Sequence, residues 1–102
     1  MTIKLVLCTT PDIDVAKKIA HALVQDKLAA CVNIIPSVHS VYEWQGKIET
    51  DSECQLLIKT NTQKVLQAYE KMSTLHPYDV PEWLEQDAEA SHAYGHWLQQ
   101  AL

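Results

Sequence analysis

CVNIIPSVHSVYEWQGKIETDSECQLLIKT, residues 31–60, decides the architecture. From Lys47 to Lys59 one set of alternate positions is Ile48, Thr50, Ser52, Cys54, Leu56 and Ile58. The other set is Lys47, Glu49, Asp51, Glu53, Gln55 and Lys59, with Leu57 the single apolar exception. Side chains alternate across a strand, so this period of two predicts a long strand with one dry face and one wet face. The stretch before it is less regular. Cys31, Val32, Ile34 and Ile35 precede Pro36, and Val38, Val41, Tyr42 and Trp44 follow it. A proline inside a strand predicts an edge position or a bulge. Between the two strands stands Trp44-Gln45-Gly46-Lys47, where Gly46 supplies the positive φ of a tight hairpin turn.

This hairpin is too long for its own domain. About fourteen residues per strand at roughly 3.3 Å each span about 45 Å. A compact chain of this size has a radius of gyration of about 13 Å and a diameter of roughly 35 Å. The tip therefore overhangs, and it carries Tyr42 and Trp44, side chains poorly suited to water. The simplest expected partner is a second copy of the chain.

Working outward, Thr2–Thr9 reads as a buried strand, and Thr10-Pro11-Asp12 offers caps and a proline for a helix start. Val15, Ala16, Ile19, Ala20, Leu23 and Val24 recur at helical spacing, predicting a helix over 13–28. Beyond the hairpin, Asn61 and Thr62 can cap a second helix bearing Val65, Leu66, Tyr69, Met72 and Leu75. His76-Pro77 ends it, because proline excludes the helical region for the residue before it. Trp83 to Ala88 is a candidate short strand weakened by Glu85-Gln86-Asp87. Ser91 can cap a last helix with Tyr94, Trp97, Leu98 and Leu102 as its buried stripe. The whole reads as an α+β, ferredoxin-like βαββαβ sandwich with a long protruding hairpin and an extra C-terminal helix, one domain over residues 1–102.

Composition narrows function. The net charge is −5, all eight basic residues are lysines, and they form no cluster, which argues against nucleic acid as partner. No apolar run reaches membrane-spanning length, and the N-terminal residues enter a strand directly rather than through a signal peptide, so a cytoplasmic location is expected. Cys8, Cys31 and Cys54 lie far apart in strand segments and read as reduced thiols. With only Gly46 and Gly95 there is no phosphate loop, and no catalytic constellation emerges, so the chain reads as a non-enzyme with no organic cofactor.

Two groups of residues invite ligands. Cys8 and His76 stand at element ends that this fold can bring together. A thiolate with an imidazole favours copper or zinc over magnesium or calcium, with a third ligand drawn from a neighbouring subunit. The plainer alternatives are a core thiol and a helix-terminal histidine at the negative dipole end. His92 and His96 form an i, i+4 pair on the last helix. The second group is His76-Pro77-Tyr78-Asp79-Val80-Pro81-Glu82, a rigid crossover whose Tyr78 and Glu82, with Trp44 and Lys59, are candidates for lining a ligand cleft. Lys59 would pair with Glu82 or receive an anion.

Leu7-Cys8-Thr9-Thr10-Pro11, Lys27-Leu28-Ala29-Ala30-Cys31-Val32-Asn33, Tyr42-Glu43-Trp44-Gln45-Gly46-Lys47-Ile48-Glu49, Leu57-Ile58-Lys59-Thr60 and the 76–82 segment stand in one order and spacing. Together they resemble the CutA divalent-cation tolerance proteins, over about residues 4–84. The resemblance implies a homotrimer with hairpins pairing across subunits, an architecture similar to that of PII-type signalling proteins, and a role in tolerance of copper and other divalent cations. Carried over, its copper ligands are Cys8 and His76. Leu75 stands where some members have a second histidine. Glu85-Gln86-Asp87-Ala88 replaces the family's apolar strand and its proline, so a more exposed fourth strand is expected. A PII-like protein that binds a small anionic ligand at a cleft between subunits is the alternative.

Overall fold

The computed structural model describes all residues, Met1–Leu102. The elements follow the order β1 (Thr2–Thr10), α1 (Ile13–Gln25), β2 (Cys31–Trp44), β3 (Lys47–Thr60), α2 (Val65–Leu75), β4 (Leu84–Glu89) and α3 (His92–Ala101). The strands form one antiparallel sheet in the order β2-β3-β1-β4, the ferredoxin-like arrangement. No helix is long and apolar enough to cross a membrane.

The hairpin closes through Gln45 and Gly46, both at positive φ (51° and 80°), between the paired residues Trp44 and Lys47. Two successive left-handed residues make a turn whose twist suits the flanking strands. The Pro36 expectation is met twice: β2 is an edge strand, and its register shifts between Ile35 and Val38, with Ser37 at φ 61°. The molecule extends 45 × 24 × 21 Å, so the hairpin does overhang.

The core lies between one sheet face and helices α1 and α2. Val6 and Cys8 of β1, Cys54, Leu56 and Ile58 of β3, Ala16, Ile19 and Leu23 of α1, and Val65, Ala68 and Met72 of α2 form one cluster. Helix α1 starts on Asp12, whose carboxylate accepts from Val15 N–H at 2.9 Å. It ends at Gln25, three residues before the expected Leu28. Lys27 takes φ 57°, and Leu28 N–H and Lys27 N–H return to the carbonyls of Leu23 and Val24. This is a Schellman stop, and it folds Leu28 back onto Leu23 in the core.

Three other expectations need correction. The dry face of β3 is dry only from Cys54 to Thr60, because the helices cover no more than that; Ile48 is 73 % exposed. On the nominally wet face Glu53 is buried, because Tyr78 packs over it. In α3, Ser91 caps as expected, its Oγ accepting from Tyr94 N–H at 3.1 Å, but Tyr94 and Trp97 are exposed while Gly95 and Leu98 are buried. Gly95 lies against Met1, where an added Cβ would sit 2.8 Å from the Met1 Cβ. The weak fourth strand forms, and five of its six residues are exposed.

Candidate functional site

Cys8 points into the core and is fully buried. Burial, with the Glu82 carboxylate adding to it, pushes its thiol up to about 12. At neutral pH it is a protonated core thiol, a poor nucleophile that becomes a ligand only by giving up its proton. Its Sγ lies 3.8 Å from the Thr9 carbonyl oxygen.

His76 reaches the same carbonyl. Pro77 forces it out of helical geometry, to φ −83° and ψ 134°, while its N–H still closes the last turn on Met72 at 3.0 Å. The ring turns inward and is 8 % exposed. Nε2 is 2.7 Å from the Thr9 carbonyl oxygen, which only accepts, so Nε2 carries the proton. Nδ1 accepts from Tyr78 N–H at 3.2 Å. Both ring nitrogens are thus engaged, and the neutral imidazole ties α2, β1 and the crossover segment together. Sequence reasoning paired Cys8 with His76, and the structure brings both to one backbone oxygen. No cluster of three or more His, Cys, Asp or Glu side chains surrounds them. His92 and His96 are exposed on α3.

A cleft of about 850 Å³ opens beside this junction. Strand β1 stops at Thr10, opposite Cys54, so from Glu53 outward the hairpin has no third strand. The 77–82 segment, stiffened by Pro77 and Pro81, crosses that gap. Thr9, Tyr42, Trp44, Glu53, Tyr78 and Glu82 line the space. The Tyr78 hydroxyl donates to Glu53 Oε2 at 3.0 Å, the Tyr42 hydroxyl donates to Asp51, and Gln55 Nε2 donates to Glu82 Oε1 at 3.1 Å. Burial, together with its bond to Glu53, holds the Tyr78 phenol well above the usual range. The bond to Asp51 raises that of Tyr42 to about 12. Both phenols are donors at neutral pH.

The sequence-expected Trp44, Tyr78 and Glu82 meet here, but Lys59 does not. It sits six residues along β3 from Glu53, about 20 Å away. Its Nζ lies 5.7 Å from the Tyr94 ring centroid, and Glu82 pairs with Gln55 instead. Glu53 and Tyr42 went unnoticed as site residues. Nothing in the alternation of β3 sets Glu53 apart from Glu49 or Asp51; only the crossover segment folding onto it does.

Residues 4–101 match the model of the family described as CutA1 divalent ion tolerance protein. The divalent-cation tolerance protein CutA of Thermus thermophilus is 45 % identical over 98 residues, covering 95 % of each chain. The mouse protein CutA is 46 % identical over 93 residues, which are 90 % of this chain and 52 % of the mouse one. The crystal structure of CutA from Xylella fastidiosa superposes with a TM-score of 0.94 at 43 % identity, over 97 % of this chain and 96 % of that one. The sheet order, the overhanging hairpin and the matched residues agree: this chain belongs to the CutA1 divalent ion tolerance protein family.

Proposed function

We propose that this protein works in divalent-cation tolerance as a cytoplasmic homotrimer that binds copper, or a similar soft cation, through Cys8 and His76. The supporting observation is the convergence of the Cys8 thiol and the His76 imidazole on the Thr9 carbonyl. A sulfur and a nitrogen donor suit Cu(I), which accepts few, soft ligands. Binding would displace the Cys8 proton and free one His76 nitrogen from its hydrogen bond. The role is one of binding rather than catalysis.

Anaerobic Cu(I) titration of the reduced protein tests this. Saturation at a fixed ratio per chain is expected, with loss of the site in both Cys8→Ser and His76→Ala. Because the thiol is protonated at neutral pH, affinity should rise roughly tenfold per pH unit as one proton is released. Weak binding that neither substitution changes would assign Cys8 to the core and His76 to the helix terminus alone.

A second reading, a PII-like signalling or scaffold protein that binds a small anionic ligand at a cleft between subunits, is favoured by the size and preformed walls of this cleft, although Lys59, the donor expected for the anion, lies outside it.

A further inference from the structure

His76 has no spare nitrogen. Its Nε2–H donates to the Thr9 carbonyl at 2.7 Å, and its Nδ1 accepts from Tyr78 N–H at 3.2 Å. A neutral imidazole carries one N–H and one bare nitrogen, and only a bare nitrogen binds a metal. Two routes to ligation exist. If Nδ1 takes the metal, Tyr78 N–H loses its acceptor outright. If Nε2 takes it, the proton leaves Nε2 and settles on Nδ1, where N–H then faces N–H. Both routes break the same bond. A ring flip offers no escape, because it only exchanges the two nitrogens. The ring is buried, its own amide closes on the Met72 carbonyl at 3.0 Å, and it packs on the Tyr78 ring with centroids 4.8 Å apart. All these contacts lie within one chain, so they hold whatever covers the outer sheet face.

We propose that copper ligation by His76 and the Tyr78 N–H bond are mutually exclusive, so that filling the site unlatches the 77–82 crossover from the end of α2. This rests on the Cys8–His76 reading of the copper site and adds how its occupancy is relayed. The protons balance: the Cys8 thiol proton passes to solvent, the imidazole keeps its single proton, and Cu(I) stays Cu(I). Tyr78 carries the change onward. Its hydroxyl donates to Glu53 Oε2 at 3.0 Å, and four residues later Glu82 accepts from Gln55 at 3.1 Å. Both partners belong to β3, where the hairpin begins to overhang. The segment that senses the ring is therefore the one that grips the hairpin. By linkage, whatever tightens the Tyr78 N–H bond weakens copper binding by the same factor.

The test is nitrogen-15 NMR of the reduced, assembled protein at one fixed pH, with and without Cu(I) under anaerobic conditions. Without copper the His76 ring should carry its proton on Nε2. With copper its ring signals should show one nitrogen ligated, and the Tyr78 amide should shift and exchange with water at least about tenfold faster. A pair of variants isolates the amide hydrogen. Tyr78→Ala keeps it and Tyr78→Pro lacks it, while both remove the phenol. The proline variant should bind Cu(I) more tightly than the alanine one, by about fivefold or more. The wild-type spectra decide if the proline variant does not fold. Copper on the His76 ring with the Tyr78 amide unmoved would overturn the exclusion and leave the copper reading standing. Ring signals that copper does not change would overturn both.

Discussion

The two residues most open to chemical interpretation, Cys8 and His76, are also structural. Cys8 sits in the centre of the core with its thiol pushed up to about 12, mainly by burial, against 9.0 in an unfolded chain. Below pH 9 both states hold the proton, and the contribution to stability is complete. Above pH 9 the unfolded chain loses its proton first, so this group's contribution falls by about 1.4 kcal/mol per pH unit until pH nears 12. Wild type should therefore lose stability more steeply than Cys8→Ala between about pH 9 and about pH 10.5. Urea unfolding at several pH values reads the difference, and parallel curves would mean that the thiol is not desolvated. The comparison must be between variants because Tyr42 and Tyr78, both raised, act in the same direction at higher pH. At this scale the site was only half legible. Residue types and the proline-forced exit from α2 pointed to Cys8, His76, Tyr78 and Glu82. The tautomer of His76 and the burial of Glu53 depend on where the crossover segment lands, and no local pattern encodes that.

Elements were legible wherever pattern and local chemistry agreed. The period of β3, the Gln45-Gly46 turn, the Pro36 bulge and the His76-Pro77 stop each follow from residues within a turn or two of the feature. The end of α1 did not, because its stop uses a lysine where glycine is the usual residue. Lys27 bears φ 57° with an exposed side chain that makes no ion pair. A residue with a Cβ pays roughly 1–2 kcal/mol in that region, which glycine avoids. Lys27→Gly should accordingly stabilise the protein by about 0.5–1 kcal/mol, net of glycine's greater freedom in the unfolded chain, seen as a higher urea midpoint at unchanged slope. A lower midpoint would show that the lysine holds a contact worth more than the backbone strain. The stripe of α3 misled for a related reason. Gly95 buries itself against Met1, and that close approach turns Tyr94 and Trp97 outward instead of in.

The overhang, read from strand length alone, is a property of the whole molecule and the strongest argument for assembly. Beyond Glu53 the hairpin has neither helix nor third strand, and it exposes Val41 (68 %), Trp44 (56 %) and Ile48 (73 %). On the sheet face away from α1 and α2, Ile35 and Leu84 are also exposed, beside the half-buried Leu5, Leu7 and Leu57. A monomer seldom leaves so much apolar surface in water, and both sheet edges, β2 and β4, are free to pair. Closed rotational symmetry covers such a surface without leaving a further edge open, and three copies are the number proposed here. Light scattering should give three times the 11.5 kDa of one chain. Charges at the tip, Val41→Asp with Ile48→Asp, should shift the mass towards one chain while leaving the core and its far-ultraviolet dichroism intact, since neither side chain touches the buried cluster. A wild-type mass of one chain at micromolar concentration would instead mean that a different partner covers the hairpin.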